Sequence, residues 1–258
     1  MNEHYLVDTH SHLYSEEFNA DIAEVLQRAE TEGVKRIFLP AIDSNSANSM
    51  LQLEKTYPDQ CFAMMGLHPC YVKENYQQEL DFVSNWLKTR KFAAVGEIGL
   101  DYYWDRNFDK EQMDAFSYQV DLAMEYDLPI VIHSRESMHD TIAMIRSKQN
   151  GKLRGIFHCF SGTYEQAIEI INLGFLLGIG GVLTYKKSGL AEVVEKLPMD
   201  ALVLETDSPY LTPVPFRGKR NESSYLTYIV SRLAEIKRLP EEEIARITTS
   251  NAEKLFSC

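Results

Sequence analysis

Eight short apolar, β-branched runs recur along this chain with amphipathic stretches between them, and this alternation constrains the fold more than any other feature. The runs are residues 6–7, 36–42, 62–67, 93–98, 130–133, 155–160, 175–179 and 202–205. Their average spacing of roughly 28 residues suits a repeating strand–helix unit. Residues 21–31, 45–57, 80–89, 111–126 and 165–172 supply helical patterns between them. The strands show little polar alternation, as expected where helices cover the outer face of a parallel sheet. An α/β fold of the (β/α)8 TIM-barrel type, typically about 250 residues, is the economical reading, with any site at the C-terminal face of the strands. A doubly wound open sheet would call for a Gly-rich phosphate turn after the first strand, and His10-Ser11-His12 stands there instead.

The ionisable residues gather where a barrel enzyme builds its site. His10 and His12 are two residues apart, so they share a face at the end of the first strand. His68 follows the third strand, Glu97 ends the fourth, His133 ends the fifth, His158 belongs to the sixth and Asp207 follows the eighth. Any one of them alone has a simpler use, such as capping the next helix. Together, four imidazoles and two carboxylates hold two divalent ions if one carboxylate bridges. Glu97 is the natural bridge, with His10, His12 and Asp207 on the first ion and His133 and His158 on the second. Two ions roughly 3.5–4 Å apart hold a bridging hydroxide and polarise the bond it attacks. Asp207 is the candidate general base.

Six segments now carry a resemblance. They are Asp8-Thr9-His10-Ser11-His12, Gly66-Leu67-His68-Pro69, Gly96-Glu97-Ile98-Gly99-Leu100-Asp101, His133-Ser134-Arg135, His158-Cys159-Phe160-Ser161-Gly162 and Leu204-Glu205-Thr206-Asp207-Ser208-Pro209-Tyr210. In this order they resemble the TatD family of metal-dependent deoxyribonucleases, within the amidohydrolase-like barrels, from residue 8 to about residue 222. The resemblance implies a 3′→5′ exonuclease on DNA assisted by magnesium or manganese. It also implies that His10, His12, Glu97, His133, His158 and Asp207 are the metal ligands, with Glu97 and Asp207 at the chemistry. Four histidines suit zinc, manganese or iron better than magnesium, so the resident ion and the activating ion need not be identical.

Around this cluster, His68 and Arg135 are candidate phosphate contacts, the latter through paired guanidinium hydrogen bonds. Tyr103 and Trp104 offer an aromatic surface. Residues 213–222 carry Arg217, Lys219 and Arg220, with Arg220 taken as the substrate contact. The family commonly continues Arg-Asn-Glu with proline, whereas this chain has Ser223, a candidate N-cap. Glu205 is either a ligand of a further ion or an orienting carboxylate. Cys159, in the sixth strand, should turn toward the helical layer.

Composition bounds the partners. A net charge of −12, from 26 basic and 38 acidic residues, suits an exonuclease that grips a DNA end weakly and salt-sensitively, or a small phosphorylated substrate. The four cysteines form no C-x-x-C pair, and no signal peptide or long apolar run is present. Together these read as one domain over residues 1–258, cytoplasmic and without a membrane partner, and with no readable oligomerisation signature a monomer is the default. Residues 223–256 read as two helices closing the outer ring, with Pro240 opening the second. Two other functions use the same scaffold: hydrolysis of a small-molecule amide, ester or lactone, and a non-catalytic metal-holding scaffold.

Overall fold

Every apolar run forms a strand: β1 Leu6–Asp8, β2 Val34–Pro40, β3 Cys61–Met64, β4 Val95–Asp101, β5 Ile130–Arg135, β6 Gly155–Phe157, β7 Phe175–Ile179 and β8 Leu202–Leu204. The computed structural model describes residues 5–257, so Cys258 lies outside the described residues. β1 to β3 pair in order, and so do β4 to β8, all in parallel. Backbone hydrogen bonds join the two groups at both edges. Ala93 N–H to Ala63 O (3.0 Å) and Gly96 N–H to Met65 O (3.0 Å) tie β4 to β3. Thr9 N–H to Leu204 O (3.0 Å) and Asp207 N–H to His10 O (2.9 Å) tie β1 to β8. The result is a (β/α)8 barrel.

Nine helices are described: α1 Ile22–Thr31, α2 Ser44–Thr56, α3 Tyr76–Thr89, α4 Asp109–Glu125, α5 Met138–Lys148, α6 Tyr164–Asn172, α7 Leu190–Lys196, α8 Leu226–Lys237 and α9 Glu241–Phe256. Local chemistry starts two of them. Asp43 and Ser46 form a capping box on α2, and Thr163 and Gln166 form one on α6, satisfying first-turn N–H groups. The short α7 buries only Leu190 and Val194, too few apolar positions to mark it in the sequence.

The floor of the barrel is dry. Val7, Phe38, Met64, Ala94, Val131, Ile156 and Val203 meet there, with Leu176 partly buried against them. The C-terminal helix does not join the outer ring as its periodicity suggested. Leu255 and Phe256 of α9 plug the floor instead, and the Phe256 ring stacks on Phe38 at 3.8 Å. Asn251 fixes the docking by donating to Met199 O (2.9 Å) and Leu202 O (2.8 Å). An apolar stripe shows that a helix buries one face, not which surface receives it. Among the described residues no helix is long and apolar enough to cross a membrane.

Candidate metal centre

β1 stops at Asp8, so His10 and His12 stand just beyond the regular strand. Ser11 between them pairs with Ser208, which keeps the chain extended along the β8 side and turns both imidazoles inward. Their Nε2 atoms lie 3.2 Å apart. Glu97 Oε2 is 3.1 Å from His10 Nε2 and 3.6 Å from His12 Nε2, and Asp207 Oδ1 is 3.8 and 3.6 Å from the same atoms. Ligands about 2.0–2.2 Å from one ion sit about 3.0–3.6 Å from each other, so this spacing fits a divalent cation.

Glu97 owes its direction to a bulge. In the ladder between β4 and β5, Gly96 faces Val131 and Ile98 faces Ile132, so Glu97 is the extra residue. Bulges of this kind re-aim a side chain. The other oxygen, Oε1, is 2.9 Å from His133 Nδ1, 2.8 Å from His158 Nε2 and 3.3 Å from His68 Nε2. One carboxylate therefore faces imidazole nitrogens with each of its oxygens. Three groups of side chains have the spacing to hold an ion: His10, His12 and Glu97; His10, His158 and Asp207; and His68, Glu97 and His133.

The tautomers sort these nitrogens. Tyr14 donates its hydroxyl to Pro40 O (2.6 Å), so it accepts from His12 Nδ1 (2.9 Å) and leaves a lone pair on Nε2 when the ring is neutral. His133 Nε2 faces Asp101 Oδ2 at 2.8 Å, which frees Nδ1 toward Glu97. His158 Nδ1 lies 3.4 Å from Glu205 Oε1. His68 is the exception. Its Nδ1 accepts from Cys70 N–H (3.0 Å), so the neutral ring carries its proton on Nε2 and acts as a donor toward Glu97. Tyr14 and Asp101 were not anticipated as site residues; Asp101 stood in a quoted segment, but its pairing with His133 spans 32 positions.

Burial and charge compete here. Burial pushes the Glu97 carboxyl up, but the charges of His158, His68 and His10 outweigh it and hold Glu97 well below the usual range. Burial likewise opposes Asp207, and the His12 hydrogen bond with the charges of His158 and His10 keeps it low. His158 is lifted well above an ordinary histidine by Glu97 and Glu205 against its burial, whereas burial lowers His10 and His68. His10 Nδ1 and Glu205 Oε2 are buried without a hydrogen-bond partner among the described residues.

The outer residues depart further from expectation. Arg135 ends β5 as anticipated, and its guanidinium lies 3.8 Å over the Tyr103 ring and 5.2 Å from that of Trp104. Arg220 is corrected: Asp21 accepts two bonds from it (both 2.7 Å), Glu17 O accepts a third, and the guanidinium rests on Phe18. Three of its five N–H donors are engaged inside the fold. Ser223 does not cap a helix either, because its hydroxyl donates to the buried Asp8 Oδ2 (2.7 Å). Cys159 lies beyond the end of β6 with a left-handed φ of 47°, so strand alternation no longer sets its direction. Burial and the carboxylates of Asp207 and Glu205 push its thiol well up.

Fold and site together define a metal-dependent hydrolase on a (β/α)8 scaffold. The family described as TatD related DNase matches residues 7–257, and the chain belongs to it. Among its relatives, the metal-dependent hydrolase YabD of Bacillus subtilis is 40% identical over 252 residues, covering 97% of this chain and 98% of YabD. YjjV of Escherichia coli K12 is 35% identical over 254 residues, covering 97% of both. The crystal structure of YjjV, a TatD homolog, superposes with a TM-score of 0.93 at 33% identity and covers 98% of both chains. A lactonase from Listeria monocytogenes shares the fold alone, at 14% identity and a TM-score of 0.69 over 98% of this chain and 94% of the lactonase.

Proposed function

We propose that this protein is a deoxyribonuclease, a phosphodiesterase that shortens DNA from an end in the 3′→5′ sense with two divalent ions. The position of Glu97 carries this reading, one oxygen toward His10 and His12 and the other toward His133 and His158. His10, His12 and Asp207 would hold one ion, His133 and His158 the other, and Glu97 would belong to both. Divalent ions bound there draw charge from the phosphate oxygens and make nearby water more acidic. The nitrogen-rich donor set favours zinc, manganese or iron as resident ions, with magnesium or manganese sufficient for activity.

The chain's own groups do the rest. Asp207, ionised and the most exposed member of the first set at 14%, accepts the proton of the attacking water on its carboxylate. His68 moves its Nε2 hydrogen from Glu97, which it faces at 3.3 Å, to a phosphate oxygen. Arg135 grips a phosphate of the bound strand through its guanidinium N–H groups, with the Tyr103 ring beneath it.

Digestion of end-labelled single-stranded DNA with magnesium or manganese tests the reading. A ladder shortening from the 3′ end, absent in Asp207→Asn and after chelation, is the expected result. Intact DNA in the presence of stoichiometric bound metal would instead favour hydrolysis of a small amide, ester or lactone.

A further inference from the structure

The arginines of this acidic chain divide unequally. Ten of the twelve form an ion pair with an aspartate or glutamate. Among the described residues, only Arg135 and Arg217 have no such partner. Both are exposed, and each lies over a tyrosine ring: Arg135 over Tyr103 at 3.8 Å and Arg217 over Tyr185 at 4.0 Å. A guanidinium held this way is oriented by the ring while its edge keeps its N–H donors free for an oxyanion.

Both stacks stand on βα loops, at the mouth that holds the metal centre. The Tyr103 stack is fastened to that centre directly. Asp101 accepts from Tyr103 N–H (2.9 Å) and Trp104 N–H (3.2 Å) through Oδ1, and meets His133 through Oδ2. The Tyr185 stack is fastened to the segment that follows Asp207. Tyr185 donates its hydroxyl to Thr212 O (2.9 Å), and Val214 N–H donates to Thr184 Oγ1 (2.9 Å). Arg135 ends β5 and Arg217 lies on the loop after β8, with β6 and β7 between them in the sheet. The two free guanidiniums thus bracket the loops after β6 and β7.

We propose that Arg135 and Arg217 form two phosphate subsites beside the metal centre, so that a substrate binds through phosphates neighbouring the one that reacts. This rests on the phosphodiesterase reading and deepens it: the preferred ligand is a strand with several consecutive phosphates, not a mononucleotide or a neutral ester. Arg217, on the loop where Arg220 was the expected contact, supplies the second subsite.

Binding of fluorescein-labelled oligothymidylates of increasing length, followed by anisotropy over a potassium chloride series, tests this. The Asp207→Asn background prevents turnover. Affinity is expected to rise with length until both subsites are filled. Arg217→Ala should then weaken the longer strands about ten-fold. It should also lower the slope of log affinity against log salt by about 0.7, the value for one phosphate contact on a single strand. Arg135→Ala should do the same, and the double variant should lose about 1.4 of slope. Arg217→Lys keeps the charge and should keep the slope, which a merely structural role would not require. An unchanged slope in Arg217→Ala overturns the second subsite. Hydrolysis of bis(p-nitrophenyl) phosphate by the parent protein reports on the other reading: no hydrolysis with any divalent ion, alongside the stated loss of slope, sinks the phosphodiesterase assignment and leaves the subsites standing.

Discussion

Two residues along the same inward face separate the floor of this barrel from its metal centre. On β5 the step runs from Val131 to His133, beyond β6 from Ile156 to His158, and beyond β8 from Val203 to Glu205. The step is about 6.6 Å, yet the chemistry inverts. Below, aliphatic and aromatic side chains interlock and α9 seals them from water. Above, imidazoles and carboxylates crowd together, and space is made by removing side chains. A Cβ at Gly178 would collide with Glu205 Oε2, so glycine alone fits there. Burying such groups without full pairing is expensive, and the floor supplies stability that the mouth does not. The cost falls where bound cations would offset it.

The sharpest way to break this contrast is at the carboxylate that serves both sets of imidazoles. Glu97→Gln should abolish retention of both ions, measured by elemental analysis. It should lower activity by about three orders of magnitude, on the order of 4 kcal/mol in the barrier. Thermal stability of the metal-free protein should fall little, because the floor is untouched. Phe256→Ala is the mirror experiment. Losing the ring stacked on Phe38 should cost about 3 kcal/mol or more in denaturant unfolding, while activity per folded molecule and metal content stay the same. A large drop in metal content would show that floor and mouth are not separable. Asp101→Asn should have a smaller effect. It leaves the ligands in place but weakens the acceptor that orients His133, so metal affinity should drop about 10- to 100-fold.

The same two layers explain what could be read from the sequence. The strands were legible because an apolar run between turn residues is a local signal, and the ligand candidates because they stand at the ends of those runs. What escaped depends on distant pairing. Glu97 was named, but the bulge that turns it inward exists only against β5. Arg220 is taken by Asp21, 199 positions earlier, and a basic loop read alone gives no sign of it. Tyr14 reaches His12 because Pro40 accepts its hydroxyl from the neighbouring strand. The periodicity of α9 was visible, but its destination under the floor was not.

Asp8 tests the contrast most finely, because it lies where the two layers join. Its carboxylate closes the seam between β1 and β8, accepting from Thr206 N–H (2.9 Å), Thr206 Oγ1 (2.6 Å) and Ser223 Oγ (2.7 Å). Burial nevertheless pushes it up to about 7 from 3.8. A carboxyl raised on folding stabilises the fold fully below its unfolded value, and that contribution is lost as pH climbs through the folded one. Between pH 6 and 8 the Asp8 contribution should therefore fall by about 1.4 kcal/mol. In metal-stripped protein this appears as a melting temperature about 2–5 °C lower at pH 8 than at pH 6, relative to Asp8→Asn. The histidines titrate in both proteins and cancel in the difference. Equal pH dependence in the two would mean that the donors from Thr206 and Ser223 keep Asp8 ionised throughout, placing this residue with the charged mouth and not with the dry floor.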